Sequence, residues 1–326
     1  MKKKLAAKTP KKLATKARTA PKSDVKGKGA ASAEQDMMQE MLRQLFSTVE
    51  AGDVSAEDLQ ALSASLDALS PDGMRSDEEA AAKYEAQELA FEAMEAESAA
   101  QARKLAKRAL QLDTECVDAM VLLTDLTART PREKIEGLQK AVAAGERSLG
   151  EAFFRKNTGE FWLLLDTRPY MRALGQLAGG MASAGMRADA IAVYEKMLKL
   201  NPKDNQGVRE LLLGLYLAVD DVAGAGKLLK RYKRDMSAVF LWGRVIERFL
   251  EGDRDGASVA SRVAMKANRY VALHLTGQKR LPTALPEMYS LGSIEEAVLC
   301  QHYLGEAWSR HKDALLWLYD LVALTT

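Results

Sequence analysis

Along residues 171–202 the apolar side chains recur every three to four positions in two blocks separated by Gly185. Leu174, Leu177 and Met181 share one face of a first helix, and Ala190, Tyr194, Met197 and Leu198 share one face of a second. Gly185 predicts the break between them, because glycine enters the left-handed region freely at a helix end. Pro202 predicts the second stop, since the residue before a proline is pushed out of the α region. The small Ala190 lets the two backbones approach, and Tyr194, one turn on, fills the space beside it. The pattern is that of two antiparallel helices that bury one face against each other.

The same offsets recur along the chain. Ala102, Ala106, Ala109, Leu110 and Leu112 fall where Ala190, Tyr194, Met197, Leu198 and Leu200 fall, and so do Ala257, Ser261, Ala264, Met265 and Ala267. Ala223, Leu228 and Leu229 mark the second helix of a unit beginning near Asn205. Pro131 opens another second helix, at the first helical position, where its missing N–H costs little. Residues 292–308, GSIEEAVLCQHYLGEAW, repeat the Gly-x-x-x-x-Ala opening. The pattern predicts about five to six hairpins at a spacing of about 33 residues, within the range of helical-repeat arrays.

This small-Ala, aromatic, terminal-Pro pattern resembles the tetratricopeptide superfamily, with Leu174 in place of its usual Trp and Met197 in place of its later Ala. More narrowly, AQELAFEAME (86–95), ARKLAKRALQL (102–112), AGERSLGEAFF (144–154), FWLLLDTRPYMRA (161–173), LNPKDNQGVRELL (200–212) and GQKRLPTALPEMYSLGSIEEAV (277–298) carry a resemblance to repeat proteins grouped with the suppressor-of-tumorigenicity family. The resemblance spans residues 70–323. It implies an all-α, right-handed α-solenoid without known catalytic activity. Some relatives append a Cys-rich metal motif or membrane spans; this chain has neither motif in its sequence, so those attributes do not transfer.

Charge divides the chain in two. Residues 1–28 hold ten lysines and Arg18 against Asp24, a net of +10; a chain at +2 overall therefore leaves −8 on the rest. Residues 1–33 are Lys, Ala, Thr, Pro and Gly with almost no large apolar residue, a composition that predicts disorder. Three roles fit such a tail. Lys2, Lys3, Lys4, Lys11, Lys12, Lys16 and Arg18 suit phosphate neutralisation on nucleic acid, with steep salt dependence. An anionic membrane surface is the second, although the tail lacks an apolar face. A plain solubilising extension is the third. A basic start with no apolar stretch after it is not a signal peptide.

Residues 34–70 predict a helical hairpin, with Met38, Met41, Leu42, Leu45 and Phe46 on one stripe, read as a docking face or an adaptable binding surface. Residues 76–326 form the expected array, clearest over 168–270. Residues 76–100 read as one acidic helix with Tyr84, Leu89, Ala90, Phe91 and Met94 on its apolar side. Residues 144–170 depart from the pattern and concentrate Phe153, Phe154, Phe161 and Trp162, as a plug between hairpins or as a ligand lid. Leu315, Leu316, Trp317 and Leu318 suit either a terminal cap or a self-association interface.

The resemblance places a partner groove on the concave face lined by first helices. The candidates are Arg168 and Tyr170 at its lip, then Arg172, Gln206, Arg209, Tyr216 and Trp242. Arg with aromatics suits an acidic or C-terminal peptide. The carboxylate clamp known in these repeats uses an Asn pair that this chain lacks. The competing reading gives these arginines to ion pairs between hairpins, with Glu210 or Asp166 as partners. Function is thus expected to be that of a cytoplasmic, non-catalytic interaction scaffold binding a protein or peptide. The alternative is a nucleic-acid-associated protein held by its tail.

No catalytic, cofactor or metal residues are expected. His274, His302 and His311 stand in no ligand spacing with Cys116 or Cys300. Gly179 and Gly180 lie inside a helix rather than in a phosphate loop. The two distant cysteines are expected to be buried thiols. No apolar run reaches membrane-spanning length.

Overall fold

The computed structural model describes residues 78–323; the expected tail over 1–33 and hairpin over 34–70 lie outside the described residues. Among the described residues the structure is all-helical, with thirteen α-helices and no strand. Five adjacent hairpins come first: α1 (Glu78–Met94) with α2 (Ala99–Leu112), α3 (Val117–Thr127) with α4 (Pro131–Asn157), α5 (Arg168–Ser183) with α6 (Arg187–Leu200), α7 (Val208–Ala218) with α8 (Val222–Arg231), and α9 (Ala238–Leu250) with α10 (Arg254–Ala267). Three more helices follow: α11 (Tyr270–Leu275), α12 (Ile294–Arg310) and α13 (Lys312–Ala323).

One turn closes three successive hairpins. Gly185, Asp220 and Gly252 sit two residues past the ends of α5, α7 and α9, each with positive φ (79°, 61° and 82°). In each, the next N–H reaches back five residues: Met186 to Met181, Asp221 to Tyr216, and Asp253 to Arg248, at 2.9–3.0 Å. These bonds satisfy carbonyls that a helix end would otherwise leave unpaired. The second helices begin alike too. Asp221 and Asp253 accept from the N–H groups of Gly224 and Gly256, both at 2.8 Å. Such caps contribute about 1 kcal/mol each.

Most of the repeated offsets are buried positions. Ala190, Tyr194 and Met197 are buried, as are Ala102, Ala106 and Ala109, Ala257, Ser261 and Ala264, and Leu228 and Leu229; Ala223 is instead exposed, and Ala225 takes the buried small-residue position on that helix. Beyond these positions the offsets lose force: Leu112 is exposed.

The reading of residues 76–100 is corrected, and the aromatic segment follows the first of its two readings. The acidic helix over 76–100 is broken: α1 ends at Met94, and Ser98 caps a new helix by accepting from Gln101 N–H. The face that α1 buries is Ala86, Leu89, Ala90 and Ala93, while Tyr84, Phe91 and Met94 point outward. Small residues let α2 and α3 approach closely, so the alanines rather than the aromatics define the seam. The aromatic segment is a plug, not a lid. Helix α4 bends at Gly150 (φ 73°), and Phe154 then packs on Phe161 and Tyr170 at centroid separations of 4.9 and 5.5 Å. Phe161 is fully buried, and the N–H groups of Gly159 and Phe161 both donate to Leu200 O at 3.1 Å, tying the plug to the end of α6. Each such aromatic pair adds about 0.5–1.5 kcal/mol beyond its buried area.

The terminal Leu–Trp cluster splits. Leu318 is buried and Trp317 packs on Phe249 of α9 at 5.2 Å, whereas Leu316 is exposed. Cys116 and Cys300 are free and buried.

Candidate functional site

First helices of neighbouring hairpins pack on one another, α1 on α3, α3 on α5 and α7 on α9, and a later helix of the chain adds to the last of these contacts. Helix α12 packs on both α7 and α9. Close approach is possible because Gly214, in the middle of α7, has no side chain. An ideal Cβ there would lie 2.4 Å from Tyr303 O of α12. Trp308 of α12 meets Trp242 of α9 edge to face at 6.4 Å, and both are fully buried.

Glu296 fastens the first turn of α12. Its buried carboxylate accepts from Ala238 N–H at 2.8 Å, Asn268 Nδ2 at 2.9 Å and Gly292 N–H at 2.7 Å. It therefore joins the start of α9, the end of α10 and the connector that precedes α12. A carboxylate at the N-terminus of α9 is favoured by the helix dipole as well as by the hydrogen bonds.

All seven groove candidates make contacts within the chain. Arg172 holds buried Asp118 of α3 through Nε, at 3.2 Å, and through Nη2; Gln87 of α1 donates to the same carboxylate at 2.8 Å. One residue from each of three successive first helices thus meets at Asp118. Arg209 donates through Nε to Asp235 at 2.6 Å and through Nη1 to Asp204 at 3.0 Å. Burial works against its charge, but the Asp235 and Asp204 carboxylates outweigh that and hold its pKa above the ordinary arginine value. Gln206 donates to Met171 O at 3.2 Å. Arg168 donates through Nε to Trp162 O at 3.1 Å, closing the plug.

The aromatic candidates are turned inward. Tyr170 is buried, with its hydroxyl donating to Glu146 at 3.1 Å. Burial, then the Glu146 charge, pushes its pKa well up. Tyr216 is buried and donates to Glu195; burial and that hydrogen bond raise its pKa likewise. Trp242 lies under α12. The structure therefore does not bring the seven together on an open surface. The competing ion-pair reading holds for Arg172 and Arg209, with Asp118 as the partner of the first and Asp204 and Asp235, rather than Glu210, as the partners of the second. The tail candidates, Lys2 to Arg18, lie outside the described residues.

The residues that sequence reasoning missed had faint signals. Asp118 is a carboxylate inside the apolar run VDAMVLL, and Gly214 interrupts LLLGLYLA. A mid-helix glycine in an apolar run points to close backbone approach, although not to which segment approaches.

What stays open is the connector between α11 and α12. Leu281, Leu285, Met288, Tyr289 and Leu291 are exposed, Met288 to 84% and Leu291 to 69%, as is Ile294 in the first turn of α12. A second open feature is a surface depression of about 580 Å³ between the start of α4 and the end of α5, lined by Pro131, Ile135, Gln139, Ala184 and Met186. Among the described residues no group of three or more His, Cys, Asp or Glu side chains is placed to hold a metal ion. No helix there is long and apolar enough to cross a membrane. No protein-family model matches the chain, and no curated protein matches it.

Proposed function

We propose that this chain is a non-catalytic, cytoplasmic interaction adaptor, built as a right-handed tetratricopeptide-like α-solenoid. The shared turn after α5, α7 and α9 and the buried small-residue offsets of the second helices support the repeat reading. Its groove differs from an open peptide channel: α12 lies along α7 and α9 as a built-in occupant. The partner, a protein or peptide with an apolar face, engages the rim beside that occupant. The observation that carries this is the connector's row of five exposed large apolar residues. Exposed apolar groups gathered on one short segment are the usual mark of an interaction site.

The test is affinity capture from native lysate with the full chain and with Leu281→Ser/Met288→Ser/Leu291→Ser, each with and without nuclease. The reading expects a defined set of proteins, unaffected by nuclease, that the triple variant no longer retains. An identical catch from both proteins refutes it.

A second reading is favoured by the net +10 of residues 1–28 set against −8 elsewhere. In it the tail binds nucleic acid through phosphate contacts, and the helical array recruits a partner. Capture that depends on the tail lysines and disappears with nuclease would support this reading over the first.

A further inference from the structure

The last turns of α8 and the turn after it read KLLKRYKR over residues 227–234, five basic side chains with no acid. Lys227, Lys230, Arg231 and Arg234 follow helical i, i+3, i+4, i+7 spacing and stand opposite Ala225, Leu228 and Leu229, which are buried. All five basic residues are exposed. Lys227, Lys230, Lys233 and Arg234 have no hydrogen bond or ion pair among the described residues. Of the acids beside this segment, Asp204 and Asp235 both hold Arg209, and Glu247, whose Oε1 would stand 2.9 Å from a Cβ at Gly226, is buried against α8.

Neighbouring helices extend the patch. Arg231 Nη2 donates to Leu198 O at 2.9 Å, and Tyr232 Oη donates to Pro202 O at 2.8 Å. These two bonds place the end of α6, with exposed Lys199 and Lys203, beside the end of α8. The Tyr232 ring carries the guanidinium groups of Arg231 and Arg209 at 5.2 and 5.6 Å.

We infer that this basic ridge is a binding surface for the phosphate backbone of duplex nucleic acid. A helix C-terminus by itself favours cations only in its last turn, which accounts for Lys230 and Arg231 but not for Lys227, Lys233 or Arg234. Like charges at i+3 and i+4 repel along α8, and an anion laid across them removes that repulsion. Charge density selects the class of anion. From Lys227 to Arg231 the helix rises roughly 6 Å, and a duplex presents about one phosphate charge per 1.7 Å of axis. A membrane surface fits less well, since Met236 is the only exposed large apolar side chain over residues 227–236. The ridge shares its ligand with the second functional reading but rests on a surface that reading does not use, so the two fail separately.

The experiment is fluorescence anisotropy of the full chain with a labelled duplex of about 30 base pairs, over about 50–200 mM salt. The ridge variant is Lys227→Glu/Lys230→Glu/Lys233→Glu/Arg234→Glu, with a milder Gln quartet at the same positions in case the reversal disturbs folding. The tail variant changes Lys2, Lys3, Lys4, Lys11, Lys12, Lys16 and Arg18 to Gln. The inference expects at least a tenfold (about 1.4 kcal/mol) weaker complex for the Glu quartet. It also expects a salt slope shallower by about three to four, at about 0.9 per lost contact. The Gln quartet should lose the same slope. Unchanged affinity and slope in folded ridge variants overturn the inference, and if the tail variant alone abolishes binding the second reading survives without it. Binding to phosphatidylserine vesicles with none to the duplex also overturns it. Loss in the ridge variants with none in the tail variant sustains the ridge and removes the tail reading.

Discussion

Gly214→Ala sets two effects of opposite sign against each other. In a helix interior alanine is favoured over glycine by about 1 kcal/mol, so on α7 alone the substitution stabilises. The new Cβ, however, would stand 2.4 Å from Tyr303 O and 3.2 Å from Tyr303 C. Even the short end of real Cβ contacts begins near 3.0 Å, and 3.4 Å is ordinary, so α12 must retreat by about 0.6–1 Å from α7. The obstructing atoms are backbone, and α12 is held in place by buried Cys300, Leu304 and Trp308. Overpacking of that kind costs about 1–3 kcal/mol, and the upper end applies where no side chain can rotate away. The net expectation is a loss of about 1–2 kcal/mol.

Gly179→Ala provides the control. Gly179 lies inside α5, and the nearest atom to its ideal Cβ is the Tyr194 hydroxyl at 3.8 Å, so the substitution is free to stabilise by up to about 1 kcal/mol. Urea unfolding followed by tryptophan fluorescence reads both, because Trp242 and Trp308 sit on either side of the α9–α12 seam. Arrays of hairpins unfold in parts, so the midpoint of the transition that reports this seam is the quantity to compare. A Gly214→Ala midpoint above that of the unaltered chain would refute the close contact. That result would mean α12 does not press on α7 and that the inner face is open.

Three further outcomes follow from the same contacts. Arg172→Ala leaves the Asp118 carboxylate buried with Gln87 as its remaining side-chain donor; it should cost about 2–4 kcal/mol, discounted from the fully buried case because Arg172 is partly exposed. The double change Asp118→Leu/Arg172→Met should cost less than Arg172→Ala alone, in a denaturation cycle where additivity would count against the buried pair. Both thiols should resist a thiol reagent in the native protein, Cys116 because burial pushes its pKa up to about 11 and Cys300 because full burial raises it well above the ordinary value; rapid native labelling would contradict this. Burial lowers the pKa of His274, whose Nδ1 lies 3.2 Å from Lys279 O. The unfolded chain thus takes up this proton first, so stability is present above the unfolded value of about 6.5 and is lost as pH falls through the folded pKa. His274→Gln should flatten that fall in midpoint-versus-pH measurements.

The hairpins were legible because their signals are local. Gly185, Pro202 and the Ala190–Tyr194 spacing each act within one or two turns, and the structure places a turn, a stop and a buried seam where they predict. Reading 76–100 as one helix failed for a local reason too. Ser98 competes for the backbone by capping α2, and in an acidic, alanine-rich stretch a single serine is easily passed over. The outward turn of Tyr84, Phe91 and Met94 is of another kind. Hydrophobicity identifies an apolar side, but which side faces the neighbour depends on how closely the neighbour can approach, and the alanines of α1 permit the closer packing.

The groove candidates were illegible for a more basic reason. An arginine on a first helix needs a carboxylate, and a peptide's acidic end and the chain's own aspartates meet that need equally well. Arg172 finds Asp118 on the preceding first helix, and Arg209 finds Asp204 and Asp235 in the flanking turns. Residue type cannot separate these outcomes, because the same guanidinium fork and the same desolvation apply to both. What separates them is the docking of α12, a contact between segments some ninety residues apart that hinges on Gly214 and on the carboxylate of Glu296. With Asp118, Asp204 and Asp235 already paired, the inner face carries little unmatched charge to attract an acidic peptide. Among the described residues an unpaired cluster of basic side chains lies instead on the end of α8, and a row of exposed apolar side chains on the connector before α12.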